Sequence, residues 1–130
     1  MDDRSELQRA LHRYQEERRK LEASLVERLG SLVASWKQRG ARVALYGAGM
    51  HTRFLMEIFD MSSSIACVLD SDPDKAGTSY LGWRVHGPDE ISGLDLDAIL
   101  ISTNAFEQEV YEAIAPSARE HGIEVFRCYT

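Results

Sequence analysis

The run Gly47-Ala48-Gly49-Met50-His51-Thr52 puts two glycines between an apolar segment and a helical one. A chain can wrap a phosphate in that setting. Gly47 permits a tight turn, Gly49 lets a phosphate approach backbone N–H groups, and the start of a helix adds partial positive charge. Thr52 stands where dinucleotide-binding turns usually carry a third glycine, and its side chain is expected to hold helix and strand farther apart. Asp70 closes the next apolar run, twenty-one residues beyond Gly49, where an acid accepting a ribose hydroxyl is expected. Ser71 and Asp72 follow with no nearby arginine for a 2′-phosphate, so the expected ligand is NAD or a nucleoside diphosphate. The plainer readings are a glycine turn with no ligand and an Asp-Ser-Asp-Pro turn with no ribose.

His51 falls in the first helical turn, placed to contact a phosphate, to act as an acid–base group, or merely to be a polar surface residue. Ser102 and Thr103 end a further apolar run, and Asn104 and Glu107 have the spacing of a capping box. Gly47, Ala48, Gly49, Met50, His51, Thr52, Asp70, Ser71, Ser102 and Thr103 are therefore the candidate binding residues. Lys75 is a candidate phosphate contact or a solvated surface lysine. No metal-ligand spacing is present: Cys67 and Cys128 are isolated and read as buried thiols.

The elements that must position these residues form an alternating block. Residues 42–46, 65–69, 98–101 and 123–126 are apolar apart from Arg42 and Glu124, and 83–85 are a weaker strand. Continuous apolar strands separated by helical stretches predict a doubly wound parallel sheet with both faces covered. The expected fold is a five-stranded Rossmann-like sheet of order 3-2-1-4-5. A short helix should start at Pro88, and a second long helix should run from Ala105 to about His121 with a kink or break at Pro116. Cys67 and Cys128 then lie three strands apart, too far for a disulfide.

Residues 1–40 read differently. Leu7, Leu11, Tyr14, Leu21, Leu25 and Leu32 recur at spacings of three, four and seven between charges, predicting a long amphipathic helix with Ser5 as N-cap and an end near Gly40. This segment carries nine Lys/Arg and seven Asp/Glu, whereas residues 41–130 carry six and fourteen. The chain divides at about residue 40 into a helix and an α/β domain. A helix this long outreaches a ninety-residue domain, so its first half is expected to meet a second copy or a partner enzyme.

The net charge of −6 argues against nucleic acid and anionic lipid as partners. No apolar run is long enough to span a membrane, and the opening Met1-Asp2-Asp3-Arg4 does not read as a secretory signal, so a cytoplasmic location is expected.

The segments 47–51, 68–77 and 81–90 together resemble the Rossmann-like domains of bacterial sugar-modifying proteins. They are most similar to the N-terminal domain of sugar O-acyltransferases acting on UDP-linked amino sugars, and also to the C-terminal domain of deoxysugar C-methyltransferases and to a segment of polysaccharide-biosynthesis epimerases. The resemblance covers residues 41–128 and implies that Gly47, Gly49, His51 and Asp70 hold a nucleotide-sugar. This sequence lacks the hexapeptide repeats that transfer the acyl group. It also lacks the Tyr-xxx-Lys pair of short-chain dehydrogenases, since Tyr14, Tyr80 and Tyr111 are followed four positions on by Arg18, Arg84 and Ala115. The expectation is a non-catalytic nucleotide- or nucleotide-sugar-binding module. A ligand-free structural or regulatory homodimer, and a small NAD- or sugar-nucleotide-dependent enzyme with His51 as acid–base, remain open.

Overall fold

A computed structural model describes residues 3–130. Helix α1 (Asp3–Arg39) leads through Gly40 into strand β1 (Val43–Tyr46), then helix α2 (Met50–Ile58) and strand β2 (Ile65–Leu69). A two-residue strand β3 (Ser79–Tyr80) precedes β4 (Trp83–His86), and β5 (Ala98–Ile101), α3 (Glu107–Glu120) and β6 (Glu124–Arg127) complete the chain. Short 3-10 turns cover Ser62–Ser64 and Pro88–Gly93.

The strands form one mostly parallel sheet of order β3-β4-β2-β1-β5-β6. The order departs from the expected five-strand arrangement by a sixth strand, β3, which pairs antiparallel with β4 at the edge. Two residues show no periodicity, and the pairing exists only because the turn at Leu81-Gly82, both with positive φ, folds the chain back on itself.

Side chains alternate along each strand, so β1 sends Val43 and Leu45 to one face and Ala44 and Tyr46 to the other. On the first face they meet Leu25, Leu29, Val33 and Trp36 of α1 together with Leu55 of α2. Trp36 is fully buried and meets Phe126 edge to face, with ring centroids 5.7 Å apart. On the second face Ile99 and Ile101 pack under Ile114 and Ala118 of α3. The second half of α1 is thus part of the domain core, while Leu7, Leu11, Tyr14 and Leu21 in its first half are exposed. No helix among the described residues is long and apolar enough to cross a membrane.

Four local expectations are corrected. Helix α1 is already formed at Asp3, so Ser5 lies inside it and is not its N-cap. Helix α3 starts at Glu107, after Phe106 and not at Ala105, and it continues through Pro116 without a break. Proline removes one hydrogen bond to the Glu112 carbonyl, but both residues are exposed, on the solvent side of the helix. Ile114, Ala115 and Ala118 hold the helix to the sheet on either side. Finally, no side chain caps α3, so the Asn104–Glu107 capping box does not form.

Candidate functional site

The carboxyl ends of β1, β2 and β5 meet at the Gly47–Thr52 turn, where neighbouring crossovers leave the sheet in opposite directions. Gly47 has φ +131°, and a Cβ there would come within 2.7 Å of the Ser102 carbonyl oxygen, so only glycine fits. Its N–H donates to the Leu69 carbonyl at 2.7 Å, tying β1 to β2 beyond their last ladder pair. Gly49 differs: its φ of −147° suits any residue, and a Cβ would meet nothing within 4 Å.

The turn is pinned from several sides. The Ala48 N–H donates to Asp70 Oδ2 at 2.8 Å, and Asp70 Oδ1 accepts from the Asp72 N–H at 2.9 Å. Lys75 Nζ donates to the Ala48 carbonyl at 3.0 Å and sits 3.8 Å from Asp70 Oδ2, so this lysine braces the turn. The Tyr80 hydroxyl donates to the Gly49 carbonyl, and the Thr52 hydroxyl to the Gly47 carbonyl. Strand β3, absent from the sequence reading, supplies Tyr80. With the Gly47 and Ala48 amides engaged, the donors left for an anion belong to the first turn of α2, whose N-terminus no side chain caps.

The candidate residues separate onto two sides of this turn. A crevice of about 430 Å³ is lined by Gly47, Asp70, Ser71 and Thr103, joined by Tyr46, Phe106, Glu109 and Val110. Phe106 is exposed at the crevice wall, and nothing in the sequence singled it out. Burial pushes the Tyr46 phenol up, a hydrogen bond with Ser71 opposes this, and the charge of Asp70 adds to it. No lysine or arginine lines this crevice among the described residues.

His51 does not face that crevice. With Met50 it lines a second groove of about 540 Å³ between α2 and the first half of α1. His51 Nδ1 lies 2.9 Å from Ser102 Oγ and Nε2 lies 2.5 Å from the Tyr129 hydroxyl. The buried hydroxyls of Thr52 and Ser102 are 2.7 Å apart. Proton counting fixes the directions. The Gly47 carbonyl can only accept, so the single Thr52 proton is spent there and Ser102 must donate to Thr52. Ser102 then accepts from His51 Nδ1–H, and His51 Nε2 accepts from Tyr129. Burial pushes the Tyr129 phenol up to about 12, so it carries its proton. His51 is held neutral: burial lowers its pKa from 6.5, with Glu107 pulling the other way.

Glu107 is the residue that sequence reasoning placed in the wrong role. It is buried, and its Oε2 accepts from the Cys128 and Tyr129 N–H groups at 2.8 and 3.0 Å, while Oε1 accepts from the Thr130 hydroxyl. This clamp holds the segment after β6 over β5, and with it Tyr129 against His51. Cys67 and Cys128 are both free and buried, their thiols pushed up to about 11 and about 12 by burial. Among the described residues no group of three His, Cys, Asp or Glu is placed to hold a metal ion.

The sheet and its crossovers are shared with UDP-D-quinovosamine 4-dehydrogenase from Vibrio fischeri, which has a TM-score of 0.54 to this chain. That structure is 20% identical, and the alignment covers 67% of this chain and 76% of the dehydrogenase, a likeness of Rossmann-like fold. No curated protein matches the sequence. The core of the fold, from the end of α1 through α3 to the threshold of β6, also matches a family described as C2185-like, N-terminal, over residues 40–123; covering more than half of the chain, this match makes it a member of that family.

Proposed function

We infer that this chain is a binding module whose crevice takes a nucleotide-type ligand, either a nucleoside-diphosphate sugar or NAD. The observation that carries the reading is the open side of the turn. Gly49 is required by neither backbone nor packing, and it precedes an uncapped helix start two residues beyond Gly47, which lines the crevice at the sheet's switch point. A volume of about 430 Å³ is within the usual range for small-molecule pockets. Asp70, Ser71 and Thr103 offer acceptors to sugar hydroxyls, and the Phe106 ring offers a face to a base. Asp70 keeps free lone pairs, since each oxygen accepts one backbone N–H. An acidic, cation-free lining disfavours a 2′-phosphate. The neighbour named for UDP-D-quinovosamine makes a UDP-sugar the first compound to try.

A thermal-shift panel of UDP-N-acetylglucosamine, UDP, NAD and CoA tests this. At about a hundred times its dissociation constant a true ligand adds ~2.7 kcal/mol, raising the melting point by roughly 10 °C for a domain of this size. Gly49→Leu should abolish that shift while leaving the ligand-free melting point within a few degrees. The pinning of the Ala48 amide by Asp70 favours a second reading, a scaffold whose crevice stays empty, and a panel without any shift would overturn the ligand reading for those four compounds.

A further inference from the structure

Between Asp3 and Ser24, α1 has no buried residue. Leu7, Leu11, Tyr14 and Leu21 stand 39–61% exposed at spacings of four, three and seven, the a/d rhythm of a two-helix seam, and Leu25 continues the same line into the domain core. A contiguous exposed apolar stripe marks an interaction surface, so this one calls for a cover. Tyr14 and Leu21 also form one wall of the groove whose other wall is Met50 and Phe54, and Met50 is 78% exposed.

We propose that the cover is the same arm of a second copy, lying antiparallel along the stripe with its edge in the α1–α2 groove. Charge selects this occupant and this direction. Residues 3–24 carry six Lys/Arg and five Asp/Glu, nearly balanced, so two arms meet without net repulsion despite the −6 of the whole chain. The seam position between Tyr14 and Leu21 is Arg18. A parallel pair would stack Arg18 on its own copy and set Glu17 against Glu22 across the seam; an antiparallel pair brings each Arg18 opposite an apolar residue. Arg18 is also already drawn aside: its guanidinium lies 4.8 Å over the Phe54 ring and bonds Glu57 at 3.2 Å. Its charge is therefore met within the same copy, and its stem lies along the stripe.

The area suffices. Leu7, Leu11, Tyr14, Leu21 and Met50, between 39% and 78% exposed, offer on the order of 400 Å² per copy. Since about 60% of an interface is apolar, that scales to roughly 1,400 Å² in total, the size of a specific interface and not of an incidental contact.

Sedimentation equilibrium of the full chain at about 100 µM should give twice 14.7 kDa. A single-copy mass at that concentration overturns the proposal and leaves the stripe to a different protein. Leu11→Glu should halve the mass with the domain's melting point unchanged, whereas Arg13→Glu, on another face of the helix, should keep the dimer; equal behaviour of the two variants overturns the assigned face. A spin label on Ser5→Cys reads the direction, because the native thiols are buried. Antiparallel arms place the two labels about 20–35 Å apart, from a rise of ~1.5 Å per residue. A separation below about 15 Å overturns the antiparallel pairing.

Discussion

On its inner side the turn of residues 47–52 spends its polar atoms on the protein. Gly47, Thr52, Ser102, His51 and Tyr129 form one chain of hydrogen bonds whose directions are fixed by proton count. On its outer side the same turn leaves the first amides of α2 uncapped and open space at Gly49. The two glycines mirror this division, since Gly47 is demanded by the fold and Gly49 is not. The contrast teaches that the open side is held in shape by the closed one. Substitutions on the inner side should therefore cost stability, and those on the outer side should cost binding.

The largest effect is expected at Gly47. An alanine there must adopt φ +131° and push its Cβ against the Ser102 carbonyl, which is backbone and cannot swing away. Strain and clash together should cost about 3 kcal/mol, a fall of roughly 10 °C in melting point. A Gly47→Ala variant as stable as wild type would erase the distinction between the two glycines.

Next in size is Glu107→Ala, which leaves the Cys128 and Tyr129 amides without an acceptor. One or two orphaned buried donors predict a loss of about 2 kcal/mol in urea unfolding, and Glu107→Gln, which keeps an acceptor oxygen, about half of that. If Ala and Gln variants unfold alike, Glu107 is not what holds the segment bearing Tyr129.

Much of this arrangement is legible in the sequence because it rests on patterns with a period. The unbroken apolar runs at 43–46, 65–69 and 98–101 mark buried parallel strands, and the glycine turn with Asp70 marks a shared sheet edge. Spacing alone does not say on which side of a turn a side chain emerges. His51 and Asp70 therefore read as members of one binding site, and the structure separates them. Glu107 has the spacing of a helix cap, and its true partners lie twenty-one and twenty-two residues away, beyond any local signal. Tyr80 has no sequence signal because a two-residue strand has no period, and Phe106 has none because one exposed aromatic carries no pattern.

The finest test separates the two sides by pH. Burial lowers the pKa of His51 in the folded chain below its ordinary 6.5, an effect larger than the opposing pull of Glu107. Below pH 6.5 the unfolded chain then binds more protons at this position than the folded one, so folding stability must fall as pH drops from 7 toward the lowered value. The acids with shifted values, Asp60 and Glu90, are lowered from 3.8 and 4.5, so their contributions fade only at more acidic pH. Melting points recorded from pH 7 to 5.5 should therefore decline more steeply for wild type than for His51→Gln, whose amide can still bridge Ser102 and Tyr129 but does not titrate. Parallel declines would mean that His51 is as free to take a proton in the fold as in water, and the closed side of the turn would then be no more closed than the open one.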